Sequence, residues 1–181
     1  MENLFYGCSS ISTLDLSNFI TPKLINAGGM FSNCSSLNYL NWPNIDTSLV
    51  TNMARMFNGC TSLISLDLSN LKTQNDINME YMFNGCTNLT YLTFSKNFIT
   101  NPVKNMSHMF SGCTKLETLN LSNFMTASVL DMESMFENCK KLLYLDLSSF
   151  NTAIVDNMKK MFYGCNSLIY LPEHHMIYFF V

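Results

Sequence analysis

Residues 52–73 read Asn52-Met53-Ala54-Arg55-Met56-Phe57-Asn58-Gly59-Cys60-Thr61-Ser62-Leu63-Ile64-Ser65-Leu66-Asp67-Leu68-Ser69-Asn70-Leu71-Lys72-Thr73. This stretch sets the architecture because it recurs. Its cysteine belongs to the evenly spaced series Cys8, Cys34, Cys60, Cys86, Cys113, Cys139 and Cys165, with a single inserted position between Cys86 and Cys113. A phenylalanine stands three before each: Phe5, Phe31, Phe57, Phe83, Phe110, Phe136 and Phe162. A fixed period of this length marks a protein built by stacking one supersecondary unit on copies of itself.

Within the copy, Met53, Met56 and Phe57 lie at i, i+3 and i+4, one face of a helix. Asn52 is suited to cap its start, and Asn26, Asn78, Asn105, Asp131 and Asn157 hold the equivalent place. The residue before each cysteine is only Gly or Asn, the types that tolerate the left-handed conformation ending a helix. The spacing therefore predicts a capped helix of roughly one and a half to two turns per coil. After the cysteine, Leu63, Leu66 and Leu68 end in period two, which predicts a short strand with Leu66 and Leu68 inward. A further apolar residue follows (Phe19, Ile45, Leu71, Phe98, Phe124, Phe150), then a threonine column (Thr21, Thr47, Thr73, Thr100, Thr126, Thr152) whose hydroxyls are expected to bond local backbone. A branched apolar column closes the coil: Leu24, Val50, Ile77, Val103, Val129 and Val155. The extra residue falls in Lys96-Asn97-Phe98, after the fourth strand, where insertions do least harm.

One coil cannot repay the entropy of its own ordering, so the coils must stack with strands in parallel register. The expected fold is α/β: a right-handed leucine-rich-repeat solenoid of about seven 26-residue coils, parallel strands on the concave face and short helices on the convex face. One domain is expected over residues 1–171, with an incomplete first coil, followed by a divergent tail over 172–181. Neither end carries the polar cap that a solenoid needs, so the sequence reads as a piece of a longer protein.

Composition excludes several classes of function. The chain is 48% hydrophobic and 13% charged, too apolar for a disordered protein. A net charge of −3 offers no basic stripe for nucleic acid. No apolar run is long enough to form a transmembrane helix, and no leader pattern opens the sequence. The cysteines form no C-x-x-C pairs and their count is odd, so they read as buried reduced thiols, small hydrophobes behind each helix, and not as metal ligands or disulfides. Glu173-His174-His175 lacks a third ligand, and His108 reads as a solvated helix position. No hydrolase elbow, phosphate loop or metalloprotease pair appears. No catalytic residue, metal site or cofactor is assigned.

The string Met135-Phe136-Glu137-Asn138-Cys139, Leu142, Leu145-Asp146-Leu147-Ser148-Ser149-Phe150-Asn151-Thr152 resembles the BspA-like leucine-rich repeats of bacterial and protist surface proteins, in particular the Mycoplasma-type branch. It recurs about six times and covers most of the chain. It departs from commoner leucine-rich repeats in having an apolar ladder at Phe19, Ile45, Leu71, Phe124 and Phe150 where those have a buried asparagine. The resemblance implies a surface or secreted binding protein, often linked to adhesion, without catalytic residues. The sequence itself leaves a cytoplasmic location open.

Binding would then fall on the outward strand positions. One column reads Thr13, Tyr39, Ser65, Tyr91, Thr118, Tyr144 and Tyr170; the next reads Asp15, Asn41, Asp67, Thr93, Asn120 and Asp146. Tyrosine supplies contact area at low entropy cost. Tyr39, Asp67, Tyr91, Asn120, Tyr144 and Asp146 are the candidate anchors for a protein or glycan ligand. The competing readings are that Tyr and Thr merely suit exposed strands, and that the chain is a structural spacer or a fragment with no activity of its own.

Overall fold

The computed structural model describes residues 1–169. The expected tail over 172–181, Tyr170 and the Glu173-His174-His175 run lie outside the described residues. Six short strands follow in order: β1 (Thr13–Asp15), β2 (Tyr39–Asn41), β3 (Ser65–Leu68), β4 (Tyr91–Phe94), β5 (Thr118–Leu119) and β6 (Tyr144–Leu145). They pair in parallel as three two-stranded sheets, β1 with β2, β3 with β4 and β5 with β6. Equivalent residues face each other, Leu14 opposite Leu40, Leu66 opposite Leu92 and Leu119 opposite Leu145.

The expected helices are overturned, and the α/β solenoid reading with them. Among the described residues there is no helix. The Met-Phe segment is a run of tight turns, and its amides alternate in direction. Those of Met53, Arg55, Phe57 and Gly59 donate to the carbonyls of Asn78, Glu80, Met82 and Asn84 in the next coil, at 2.8–3.1 Å. The intervening amides stay local: Met56 donates to Met53, Asn58 to Arg55 and Cys60 to Phe57. A helix would direct every such amide to the carbonyl four residues back. Two left-handed positions per coil prevent that, Arg55 at φ 59° and Gly59 at φ 71°. Apolar side chains at i, i+3 and i+4 therefore face inward without a helix behind them.

The predicted caps perform the local task assigned to them in a different setting. Oδ1 of Asn52 accepts the Ala54 amide at 3.0 Å, and Asn26, Asn78, Asn105, Asp131 and Asn157 each take the amide two residues on. Each opens a turn. The threonine column is also corrected: its hydroxyls bond between coils. Thr100 Oγ1 donates to the Met125 carbonyl at 2.9 Å and accepts the Met125 amide at 2.8 Å. Thr47 does the same with Lys72, and Thr126 with Asn151.

The core runs the length of the described chain. Phe5, Phe31, Phe57, Phe83, Phe110, Phe136 and Phe162 stack ring on ring, with centroids 5.3–5.7 Å apart. Met53, Met56, Cys60, Leu63 and Leu71 are buried, as are their counterparts in the inner coils. Phe19, expected in the core, is 39% exposed in the first coil.

One position departs from the column it occupies. Asp76 stands one repeat on from Val50, and the next equivalent is Val103. Asp76 is fully buried where its neighbours are apolar, and Ile77, assigned to that column by the sequence reading, is 51% exposed. The Asp76 amide makes the same turn bond, to Thr73, that Val50 makes to Thr47 and Val103 to Thr100. Its Oδ1 accepts the Asn78 amide at 3.1 Å, and its Oδ2 has no partner. Burial pushes this carboxyl up to about 7, against the lowering pull of the neighbouring amides.

Candidate functional site

The outward strand face is built by β-strand alternation. Leu66 and Leu68 point into the core, so Ser65 and Asp67 point out. The tyrosines fall on the second strand of each pair. Tyr39 lies beside Thr13, Tyr91 beside Ser65 and Tyr144 beside Thr118. Their exposures are 58%, 63% and 48%. Three large aromatic rings are thus held well out of the core on this face.

The second column behaves differently. Oδ1 of Asp67 accepts the Ser69 amide at 2.8 Å, Asn120 that of Ser122 at 3.0 Å and Asp146 that of Ser148 at 2.8 Å. Asp15 does the same with Ser17, which lowers its carboxyl pKa. Each of these side chains therefore shapes the turn after its strand and offers at most its other polar atom outward. The six candidates lie on one face, but the tyrosines are its projecting members.

Sequence reasoning did not reveal two hollows on this face. One, of about 180 Å³, is lined by Tyr91, Thr93, Phe94, Thr118, Asn120 and Asn123, among others. The other, of about 140 Å³, is lined by Leu40, Asn41, Trp42, Pro43, Asp67 and Asn70. They sit where the sheet is interrupted, between β4 and β5 and between β2 and β3. A signal for both existed in the inward column Leu16, Trp42, Leu68, Phe94, Leu121, Leu147, whose aromatic members precede the two breaks. Trp42 packs edge-on between Phe31 and Phe57, and its indole N–H donates to the Asp67 carbonyl at 3.3 Å. In the paired coils the corresponding carbonyl, that of Asn41, accepts the Leu16 amide. Phe94 likewise sets its edge against Phe83 and Phe124.

The opposite, turn-bearing side carries a second feature the sequence concealed. Arg55, Tyr81, His108, Ser134 and Lys160 all have positive φ, between 53° and 59°. The Arg55 guanidinium lies 4.8 Å over the Tyr81 ring, and Tyr81 stacks on His108 at 4.4 Å. Glu80 pairs with Arg55 and accepts Asn105 Nδ2. His108 is thus a packed member of a ladder. Gly29 and Asn3 in the same column were the readable hint of the left-handed backbone.

All seven cysteines are free. Six donate Sγ–H to the phenylalanine carbonyl of the preceding coil, Cys60 to Phe31 at 3.1 Å and Cys86 to Phe57 at 3.2 Å among them. They are rungs between coils as well as small hydrophobes. Burial pushes the thiol of Cys34 up to about 11 and that of Cys86 to about 12, and raises Cys60, Cys113 and Cys139 in the same direction. Thiols held protonated are poor nucleophiles and poor metal ligands. No group of three or more metal-ligating side chains is found among the described residues, and no helix there is long and apolar enough to cross a membrane.

Tandem coils bonded one to the next define a repeat protein that displays a strand face. The chain belongs to the family described as "Mycoplasma protein of unknown function, DUF285", whose model matches residues 1–93 and 90–170. No curated protein matches it. Solved structures similar to it include a leucine-rich repeat protein of Eubacterium ventriosum (16% identity, TM-score 0.46, covering 93% of this chain and 34% of that one). A second, from Bacteroides ovatus, has 16% identity, a TM-score of 0.37 and coverage of 93% and 56%. A third, from T. pallidum, has 16% identity, a TM-score of 0.38 and coverage of 88% and 89%. The chain spans about a third of the first relative and just over half of the second.

Proposed function

We propose that this chain is a non-enzymatic recognition module of a surface or secreted protein, with adhesion as its setting, and that its strand face takes a protein or glycan ligand. One observation carries the reading: Tyr39, Tyr91 and Tyr144 stand out from the face at 58%, 63% and 48% exposure, each on the second strand of a pair. Inter-coil hydrogen bonds and the phenylalanine stack tie together the coils that present this face, an arrangement that favours binding with little ordering. The BspA-like motif supports an extracellular setting. The five buried thiols, Cys34, Cys60, Cys86, Cys113 and Cys139, are held protonated and give no support to nucleophilic chemistry.

The test uses the Tyr91→Ala, Tyr144→Ala double variant against a panel of immobilised extracellular-matrix glycoproteins, before and after deglycosylation. Capture by the wild type that falls in the variant, with the thermal midpoint unchanged, supports recognition by this face. Capture that survives the double substitution refutes it. It would favour the alternative of a rigid spacer, for which the unbroken phenylalanine stack is the supporting observation.

A further inference from the structure

The two hollows occupy equivalent places and share five lining positions. Leu40, Asn41 and Trp42 of the first correspond to Leu92, Thr93 and Phe94 of the second, two repeats on. Asp67 and Asn70 correspond to Asn120 and Asn123, again two repeats on once the inserted position is allowed for. Two coils separate the copies, or ~10 Å at the usual strand spacing. Tyr39, Tyr91 and Tyr144 keep the same two-coil interval, with Tyr39 and Tyr91 each on the strand that borders a hollow. Among the described residues, the single-coil sequence repeat therefore carries a double-length repeat on its outward face.

The lining chemistry restricts the ligand. The larger hollow presents amide and hydroxyl groups (Thr93, Thr118, Asn120, Asn123) beside the Tyr91 ring and the apolar Leu92 and Phe94, with no formal charge. The smaller adds the Asp67 carboxylate beside Asn41 and Asn70, which disfavours an anion. Amides and hydroxyls around an aromatic face suit a polyhydroxylated ring, whose C–H face packs on the aromatic while its hydroxyls pair with the amides. An extended peptide strand repeats its side chains every ~7 Å and does not match two coils. A polyproline-type peptide repeats every ~9 Å but docks in aromatic-lined apolar grooves. Here the Tyr91 ring stands with Asn120 and Asn123, and the smaller hollow, whose ring is the buried Trp42, sets Asn41, Asn70 and Asp67 around Leu40 and Pro43.

We infer that the strand face binds a linear, uncharged polysaccharide with a two-sugar repeat, seated in the hollow bordered by β2 and β3 and again in the one bordered by β4 and β5. This rests on the recognition reading above and names its ligand class. The probes are cello- and chito-oligosaccharides of two, four and six sugars and a proline-rich peptide, titrated calorimetrically into wild type and into Asn70→Ala, Asn123→Ala. Affinity should rise at least about tenfold from disaccharide to hexasaccharide, as expected when one ligand bridges linked sites. The double variant should lose that gain while its melting midpoint holds. Asn123→Ala alone should abolish the length effect and leave disaccharide binding at the other hollow. The inference is overturned if no saccharide binds, if affinity is independent of length, if the asparagine variants bind as wild type does, or if the peptide binds more tightly than every sugar. Loss of matrix-protein capture in the tyrosine variant, with no saccharide bound, would overturn this inference alone and leave the recognition reading intact.

Discussion

Replacing Asp76 with valine should stabilise the protein and flatten its response to pH. The carboxyl lies fully buried in a column otherwise filled by Leu24, Val50, Val103, Val129 and Val155. Its pKa stands at about 7 in the fold against 3.8 for the free group. At ~1.4 kcal/mol for each pH unit, charging it in the core costs about 4 kcal/mol. The direction follows from proton binding. Between pH 3.8 and about 7 the folded chain holds a proton that the unfolded chain has released. Stability therefore falls as pH rises through that window, carries the full cost above it, and is unaffected by this group below it. Wild type should lose about 3 kcal/mol between pH 5 and 8.

Asp76→Val removes that loss but leaves the Asn78 amide without its acceptor, at a cost of about 1–2 kcal/mol. The net gain should be about 2–3 kcal/mol at pH 8 and close to zero at pH 5. Urea unfolding followed by circular dichroism at several pH values measures both chains, and comparing them cancels every other titrating group. Parallel pH profiles, or a variant less stable than wild type at pH 8, would show that no raised carboxyl at Asp76 weakens the fold.

Phe110→Ala opens a hole in the ring stack between Phe83 and Phe136 and should cost about 3–5 kcal/mol, with a denaturation curve that divides into two steps because each coil touches only its neighbours. Ser134→Gly, at φ 53° and buried, should raise stability by about 0.5–1 kcal/mol by relieving a left-handed backbone. Gly112→Ala, at φ 74°, should lower it by about 1 kcal/mol, both read from thermal midpoints. Thr100→Val leaves the Met125 amide and carbonyl without their shared hydroxyl and should cost about 2–3 kcal/mol in urea unfolding.

The period, the parallel strand register and the phenylalanine and methionine core are legible in the sequence because each rests on a column of like residues. The helix expectation fails for a physical reason. Period 3.6 reports only which side chains face inward, and a run of turns with two left-handed residues buries Met53, Met56 and Phe57 equally well. The second left-handed column is hidden because Arg55, Tyr81 and His108 occupy it, residues whose type does not announce positive φ. Asp76 escapes a reading that seeks an apolar residue, because Ile77 stands next door. On the strand face, the tyrosines are readable from period two, whereas the hollows arise where β2 meets β3 and β4 meets β5. Those junctions depend on how Trp42 and Phe94 pack, and that packing is visible only with the coils stacked.

The coil-to-coil stacking depends most on the alternation of amides in the Met-Phe segment, one bonding locally and the next bonding across to the following coil. Trans-hydrogen-bond scalar couplings measured by NMR test it directly. The prediction is coupling from the amides of Met53, Arg55, Phe57 and Gly59 to the carbonyls of Asn78, Glu80, Met82 and Asn84. Coupling from Phe57 to the carbonyl of Met53, the helical pattern, would contradict it.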